Sequence, residues 1–198
     1  MREAPPDTMT LGDVLARRAE SHHDAPFLEF PDSAFTFGEV DEQSDRVAQG
    51  LLAAGVAAGE HVAVMLPNRP EIVFVTFAPA RIGAVAVPVN TAYHGSALRN
   101  VLADSDCTAL IVDSRYADRL PPVTAEVPDL RLTVMCAPGD RPAAIGGNAA
   151  APQGCRTVGW PDLMAHGAAR PEQCPSRRTS PGPRRRRPGP PPCHPAAT

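Results

Sequence analysis

Apolar residues return at helical spacing, then in short unbroken runs, and the two patterns alternate from about residue 10 to residue 135. Leu11, Val14, Leu15 and Ala19 fall on one face behind Thr10, which can cap their helix together with Asp13 three residues on. Phe27 to Phe30 and Phe35 to Phe37 are aromatic stretches joined by Pro31-Asp32-Ser33-Ala34, the spacing of a small hairpin or bend. Thr36 opens a capping box with Glu39, and Val40, Val47, Ala48, Leu51 and Leu52 make the apolar stripe of a helix that Gly55 can end. His61 to Leu66 reads as a strand, after which Pro67-Asn68-Arg69-Pro70 turns the chain into an apolar helix expected to stop near Gly83. Ala84 to Val89 is nearly all apolar, which predicts a parallel strand covered on both faces. A helix over Ser96 to Ala103, strands at Ala109 to Val112 and Leu130 to Met135, and a Gly, Pro and Ala-rich loop from Ala137 to Gly159 complete the pattern. The alternation predicts a doubly wound α/β layer with a mainly parallel sheet and flanking helices.

Composition divides the chain near His166. From there to Thr198 the hydrophobic class is represented only by four alanines and two cysteines, while nine prolines and seven arginines fill most of the rest. Such a segment has too little apolar surface to offset the entropy of ordering it, so residues 166–198 read as a disordered Pro/Arg-rich tail behind a folded portion at 1–165. The whole chain has a formal charge of −3, which the tail divides into +6 for itself and −9 for the residues before it. No lysine occurs, so all 19 basic residues are arginines. The apolar runs are far too short to cross a bilayer, and Met1 to Thr10 lacks the apolar core of a secretory signal, so the expected compartment is the cytoplasm. Five cysteines without a C-x-x-C pair read as free thiols.

The sequence carries no complete catalytic signature. No glycine-rich dinucleotide fingerprint, nucleophile elbow or H-E-x-x-H occurs, and a Walker loop requires the absent lysine. His22-His23-Asp24 reads as a solvated helix end in preference to a metal site, and His61 and His94 read as structural. Asp104, Asp106 and Asp113 flank a strand and read as solvated turn residues; Gly50, Gly55 and Gly59 read as helix-ending and turning glycines. No catalytic, cofactor-binding or metal residue is assigned. Arg184 to Arg187 can attract acidic surfaces, but no aromatic residue follows Trp160, so no specific nucleic-acid binding is expected.

The order of several segments resembles the N-terminal part of AMP-forming acyl-CoA synthetases, members of the AMP-binding, adenylate-forming superfamily. The resemblance is carried by Phe35-Thr36-Phe37-Gly38-Glu39-Val40, Arg46-Val47-Ala48, Gly55-Val56, Gly59 through Asn68 and Glu71. It continues through Gly83 to Asn90 and through Leu98, Leu102, Asp104 and Ser105, with Trp160-Pro161-Asp162-Leu163 similar to a segment further on. It implies an ATP-dependent ligase in which a carboxylate attacks the α-phosphate of ATP, giving an acyl-adenylate and pyrophosphate, after which the thiol of coenzyme A displaces AMP. ATP, Mg and coenzyme A are the implied cofactors of an intact member and a carboxylic acid its substrate; no cofactor is expected for this fragment.

The family's phosphate loop resembles Thr-Ser-Gly-Thr-Thr-Gly-x-Pro-Lys-Gly, and its place after the Trp160 segment holds Ser176-Arg177-Arg178-Thr179-Ser180-Pro181-Gly182-Pro183-Arg184 instead. Prolines cannot donate backbone N–H groups to phosphate. The later family elements would lie past Thr198, so the expectation is an incomplete sheet, inactive alone, with residues 166–198 read out of frame from GC-rich DNA. A natural tail is the rival origin. Asn90, Thr91 and Tyr93 leave the carboxyl end of a strand and are candidates for the wall of an acyl or coenzyme A channel, with an ordinary loop as the plainer reading. The alternative function is a non-catalytic binding or regulatory protein with a basic tail.

Overall fold

The computed structural model describes residues 9–137 and 155–168. Helix α1 (Leu11–His22) opens on a reciprocal capping box: the Asp13 backbone N–H donates to Thr10 Oγ1 at 3.2 Å, and the Thr10 backbone N–H donates to Asp13 Oδ2 at 3.0 Å. Strands β1 (Pro26–Phe30) and β2 (Ser33–Thr36) form the expected antiparallel hairpin. Thr36 then caps α2 (Phe37–Ala53) through the same device with Glu39, at 3.2 and 2.8 Å. Each box satisfies two N–H groups that a helix start leaves without partners, so both helices begin where the sequence places them. Gly55 and Gly59 have φ of +94° and +82°, a region costly for other residues, which bears out their reading as turning glycines.

The main sheet contains β3 (His61–Met65), β4 (Val85–Pro88), β5 (Cys107–Asp113), β6 (Leu132–Cys136) and β7 (Arg156–Gly159) in the spatial order β4-β3-β5-β6-β7, every neighbouring pair parallel. Helix α3 (Pro70–Arg81) leads from β3 to β4 and α4 (Gly95–Asp104) from β4 to β5. A 3-10 turn at Ser114–Arg119 and the short α5 (Pro121–Thr124) follow β5, and α6 (Trp160–Ala168) follows β7. Numbered within the sheet the order is 2-1-3-4-5, a doubly wound arrangement whose direction reverses between β3 and β5.

The two faces of the sheet carry separate cores because successive strand residues point to opposite sides. Val62 and Val64 of β3, Ile111 of β5 and Val134 of β6 pack with Val47 and Leu51 of α2 and Leu163 of α6. Ala63 and Met65 of β3 and Leu110 and Val112 of β5 pack on the other side with Leu98 and Leu102 of α4 and with Val123. Each fully buried Leu or Val in these layers contributes about 2 kcal/mol. Helix α6 approaches α2 closely: a Cβ on Gly50 would lie 2.4 Å from the Leu163 carbonyl oxygen, and one on Gly167 would lie 2.0 Å from that of Arg46. Gly50 is therefore a packing residue, not the turning residue the sequence suggested.

Three other expectations change. Strand β4 is parallel as predicted, but it is an edge strand and half open, with Val85 40% exposed; an apolar run does not reveal whether a second neighbour exists. The stretch read as a loop from Ala137 to Gly159 contains β7 at its end, and the segment after β5 contains a 3-10 turn and a helical turn that no apolar periodicity announced. Asp113 is not a solvated turn residue; it is completely buried. Helix α6 continues across residue 165 to Ala168, and the rest of the tail lies outside the described residues. No helix among the described residues is long and apolar enough to cross a membrane.

Candidate functional site

In a doubly wound sheet, ligands bind outside the carboxyl ends of the strands where the strand order reverses. Here that point lies beyond Met65 of β3 and Asp113 of β5, and it is occupied by arginines. Arg69, which starts α3, donates from Nη1 to Asp113 Oδ2 at 3.0 Å, from Nε and Nη2 to the Glu71 carboxylate at 2.7 and 2.6 Å, and from Nη2 to the Ala137 carbonyl at 3.0 Å. One guanidinium thus ties together the exits of β3, β5 and β6. Its fixed fork of donors suits such multi-point bonding. The Glu71 hydrogen bonds, with help from Asp113, hold Arg69 in its charged form against the burial that opposes it.

Asp113 Oδ1 accepts from the Arg115 backbone N–H and from Arg115 Nε, each at 3.0 Å. The buried carboxylate is therefore saturated by two arginines, which offsets the cost of desolvating it. The 3-10 turn that follows presents Tyr116 with the Arg119 guanidinium carbon 4.5 Å from its ring centroid and that of Arg115 at 6.0 Å. Arg119 Nη1 also donates to the carbonyls of Thr91 at 2.7 Å and Tyr93 at 3.4 Å, which pins the exit of β4 against the exit of β5. The Arg115 side chain remains 51% exposed beyond its bonds to Asp113.

The candidate channel residues lie on this rim. Asn90 Oδ1 accepts from the Ala92 N–H at 2.9 Å, forming an Asx turn, while Thr91 and Tyr93 offer their carbonyls to Arg119. The structure thus brings Thr91 and Tyr93 next to a cationic, aromatic ledge that the sequence reading did not include. The signal available was two arginines spaced four apart directly after a strand, in a chain whose cations are all arginine.

The remaining sequence candidates sit elsewhere. His23 Nδ1 bonds the Asp24 carboxylate at 2.9 Å on the surface, which raises the imidazole above its ordinary value, and His22 pairs with Ser21. His61 Nδ1 donates to the Ser105 carbonyl at the amino end of β3, and His94 precedes α4 without a side-chain cap. Asp104 and Asp106 are exposed at the α4–β5 turn. Cys107, Cys136 and Cys155 are buried free thiols; burial pushes Cys107 up to about 11, aided by Asp106, and raises Cys136 further against the opposing charge of Arg69. Such thiols are poor nucleophiles. Cys174, Cys193 and Ser176 to Arg184 fall outside the described residues.

A metal–triphosphate group finds no fit on this rim. Both Asp113 oxygens are already committed to arginines, Glu71 is committed to Arg69, and no group of three or more His, Cys, Asp or Glu side chains converges among the described residues.

Residues 15–179 match the AMP-binding enzyme family, and the chain belongs to it. It is 35% identical over 109 residues to the acyl-CoA ligase sidI of Aspergillus fumigatus, an overlap that spans 54% of this chain and 18% of that protein. Among solved structures, the anthranilate CoA ligase AuaEII in complex with anthranoyl-AMP superposes with a TM-score of 0.64 at 26% identity, covering 69% of this chain and 26% of that one. The apo structure of Mycobacterium smegmatis MbtA gives a TM-score of 0.68 at 25% identity, over 89% of this chain and 30% of that one. The chain spans about a quarter of the length of the curated relatives it matches, or less.

Proposed function

We propose that this chain is the N-terminal portion of an acid–CoA ligase that forms an acyl-adenylate and then an acyl-CoA, and that the portion does not activate acids by itself. The observation that carries the reading is the pairing of the family's ordered sheet with a rim on which Asp113 and Glu71 are both bound by arginine. Nucleotidyl transfer draws its rate from charges and N–H donors placed around the phosphates. Residues 176–184 supply prolines and arginines where the family has its glycine-rich loop, and no lysine is present anywhere. ATP and Mg therefore belong to an intact member and not to these residues.

The rim supports a role in holding coenzyme A. Arg115 and Arg119 present positive charge beside Tyr116, and Asn90, Thr91 and Tyr93 form the adjoining wall, the combination that a phosphate-bearing nucleotide end would meet. The tail at 166–198 is read as out of frame, in keeping with its Pro, Arg, Gly and Ala composition. Titration calorimetry tests the ligand assignment: coenzyme A should bind weakly, the double variant Arg115→Gln/Arg119→Gln should lose that binding about tenfold, and ATP should give no heat. Equal affinity of the variant removes the ledge from the reading, and tight ATP binding contradicts the inactive portion. Translating the other two frames after codon 165 tests the tail: an open frame carrying the glycine-rich loop supports it, and stop codons in both overturn it.

A further inference from the structure

The hydrophobic side chains that reach solvent are unevenly placed. Among the described residues six large hydrophobics are exposed, and three of them, Met9, Leu11 and Val14, stand at the start of α1. They are 38%, 57% and 44% exposed. At 100° per residue, Leu11, Arg18, Val14, Ser21 and Arg17 form one continuous outward stripe, and the buried Leu15 and Ala19 lie on the face that adjoins it at Leu11. The acids of this helix, Asp13 and Glu20, fall on the flank past Arg17, and Asp13 is engaged in the cap with Thr10. Met9, Val14, Arg17, Arg18 and Ser21 also line an open hollow of about 280 Å³.

The two cations in the stripe are unusual for this chain. Every other described arginine except Arg156 meets a carboxylate or a carbonyl through its guanidinium, whereas those of Arg17 and Arg18 meet no group among the described residues. Exposed apolar side chains interleaved with arginines whose guanidinium groups are open to solvent suit contact with a bilayer interface, the apolar groups reaching between the headgroups and the cations at them. The hollow is too open to enclose a free amphiphile, since small-molecule sites bury most of their ligand.

We infer that the outward stripe of α1, Leu11, Val14, Arg17 and Arg18 with Met9, attaches this chain to membrane surfaces bearing anionic lipid. The inference does not depend on the ligase reading, because the rim and the stripe share no residue. The net charge of −3 opposes long-range attraction to such a surface, so attachment rests on the short-range contacts of this stripe and is reversible.

Flotation of the full chain with phosphatidylcholine vesicles, with and without phosphatidylserine, tests this directly, circular dichroism confirming that each variant folds. The wild-type chain should float with the phosphatidylserine vesicles and largely fail to float with pure phosphatidylcholine. Arg17→Gln/Arg18→Gln should weaken the partition roughly thirtyfold, from about 1 kcal/mol per arginine near the surface. Leu11→Ser/Val14→Ser should weaken it on the phosphatidylserine vesicles as well. Equal partition of wild type and both variants, indifference to phosphatidylserine, or no flotation at all overturns the inference. So does a stripe-dependent dimer in sedimentation that floats with neither vesicle, which would make a second copy the occupant.

Discussion

Arg81 and Arg69 are each a guanidinium shared between two carboxylates, yet they close different boundaries. Arg81, at the end of α3, reaches Asp45 through Nη1 at 2.7 Å and Asp41 through Nη2, both on α2. A Cβ on Gly12 of α1 would lie 2.9 Å from its side-chain Cγ, so three helices meet over one stem and its charge. Arg69 sits on the opposite kind of ground, at the carboxyl ends of strands, and its partner Asp113 passes the contact on to Arg115, whose side chain still faces solvent. The first cluster joins helix to helix, away from the strand ends. The second presents Arg115 to solvent beside an exposed Asp118. In a chain without lysine, arginine must do both jobs, so the number of arginines says little about ligands and their place relative to the strand ends says more.

Removing partners from the two clusters should separate them by size of effect. Asp113→Ala leaves Arg69 buried with only Glu71 as counter-charge, and stability measured by urea unfolding should fall by about 3 kcal/mol. A loss below about 1 kcal/mol would mean that water enters the rim and that the cluster is less buried than described. Arg81→Met keeps much of the stem against Gly12 while stranding two carboxylates that are partly solvated, so the loss should be about 1 to 2 kcal/mol, between exposed and buried pairs. If the two variants cost the same, the distinction between the Arg81 cluster and the rim fails.

The smallest effect should come from Asp45→Asn and should carry a sign that depends on pH. Burial raises the Asp45 carboxyl above its ordinary value, with Arg81 opposing and Asp41 assisting. A raised acid holds its proton more tightly when folded, so its favourable contribution is full below the ordinary carboxylate value and is lost as pH climbs through the folded one. At neutral pH Asp45→Asn should therefore change stability by less than about 0.5 kcal/mol. Stability of the wild type relative to this variant should decline as pH rises through the range just above 4. A wild type that gains relative stability over that range contradicts the assigned direction.

Much of the fold was legible because its signals are local. Thr10 with Asp13 and Thr36 with Glu39 stand three residues apart, and the boxes they form depend on nothing distant. The runs His61 to Leu66 and Ala109 to Val112 announce buried strands by composition alone, and Gly55 and Gly59 turn the chain as read. What escaped was set by partners far along the chain. Asp113 looks like any acid at a strand end until Arg69, 44 residues earlier, arrives beside it. Gly50 resembles a turn glycine until Leu163 of α6 closes on it. Strand β7 is four residues long, and only Val158 and Gly159 are buried, so its pattern was too brief to rise above the Gly and Pro-rich stretch before it. The same limit hid the ledge, because Arg115, Tyr116 and Arg119 gain meaning only through Thr91 and Tyr93 from another crossover.

The proposal for this chain is that it folds without activating acids. It is tested most directly by incubating the full chain with ATP, Mg²⁺, coenzyme A and a panel of carboxylic acids and quantifying AMP by chromatography. AMP should be no higher with acid than without it, from a sample that still unfolds cooperatively. AMP release that requires an added acid and rises in proportion to the chain would contradict it.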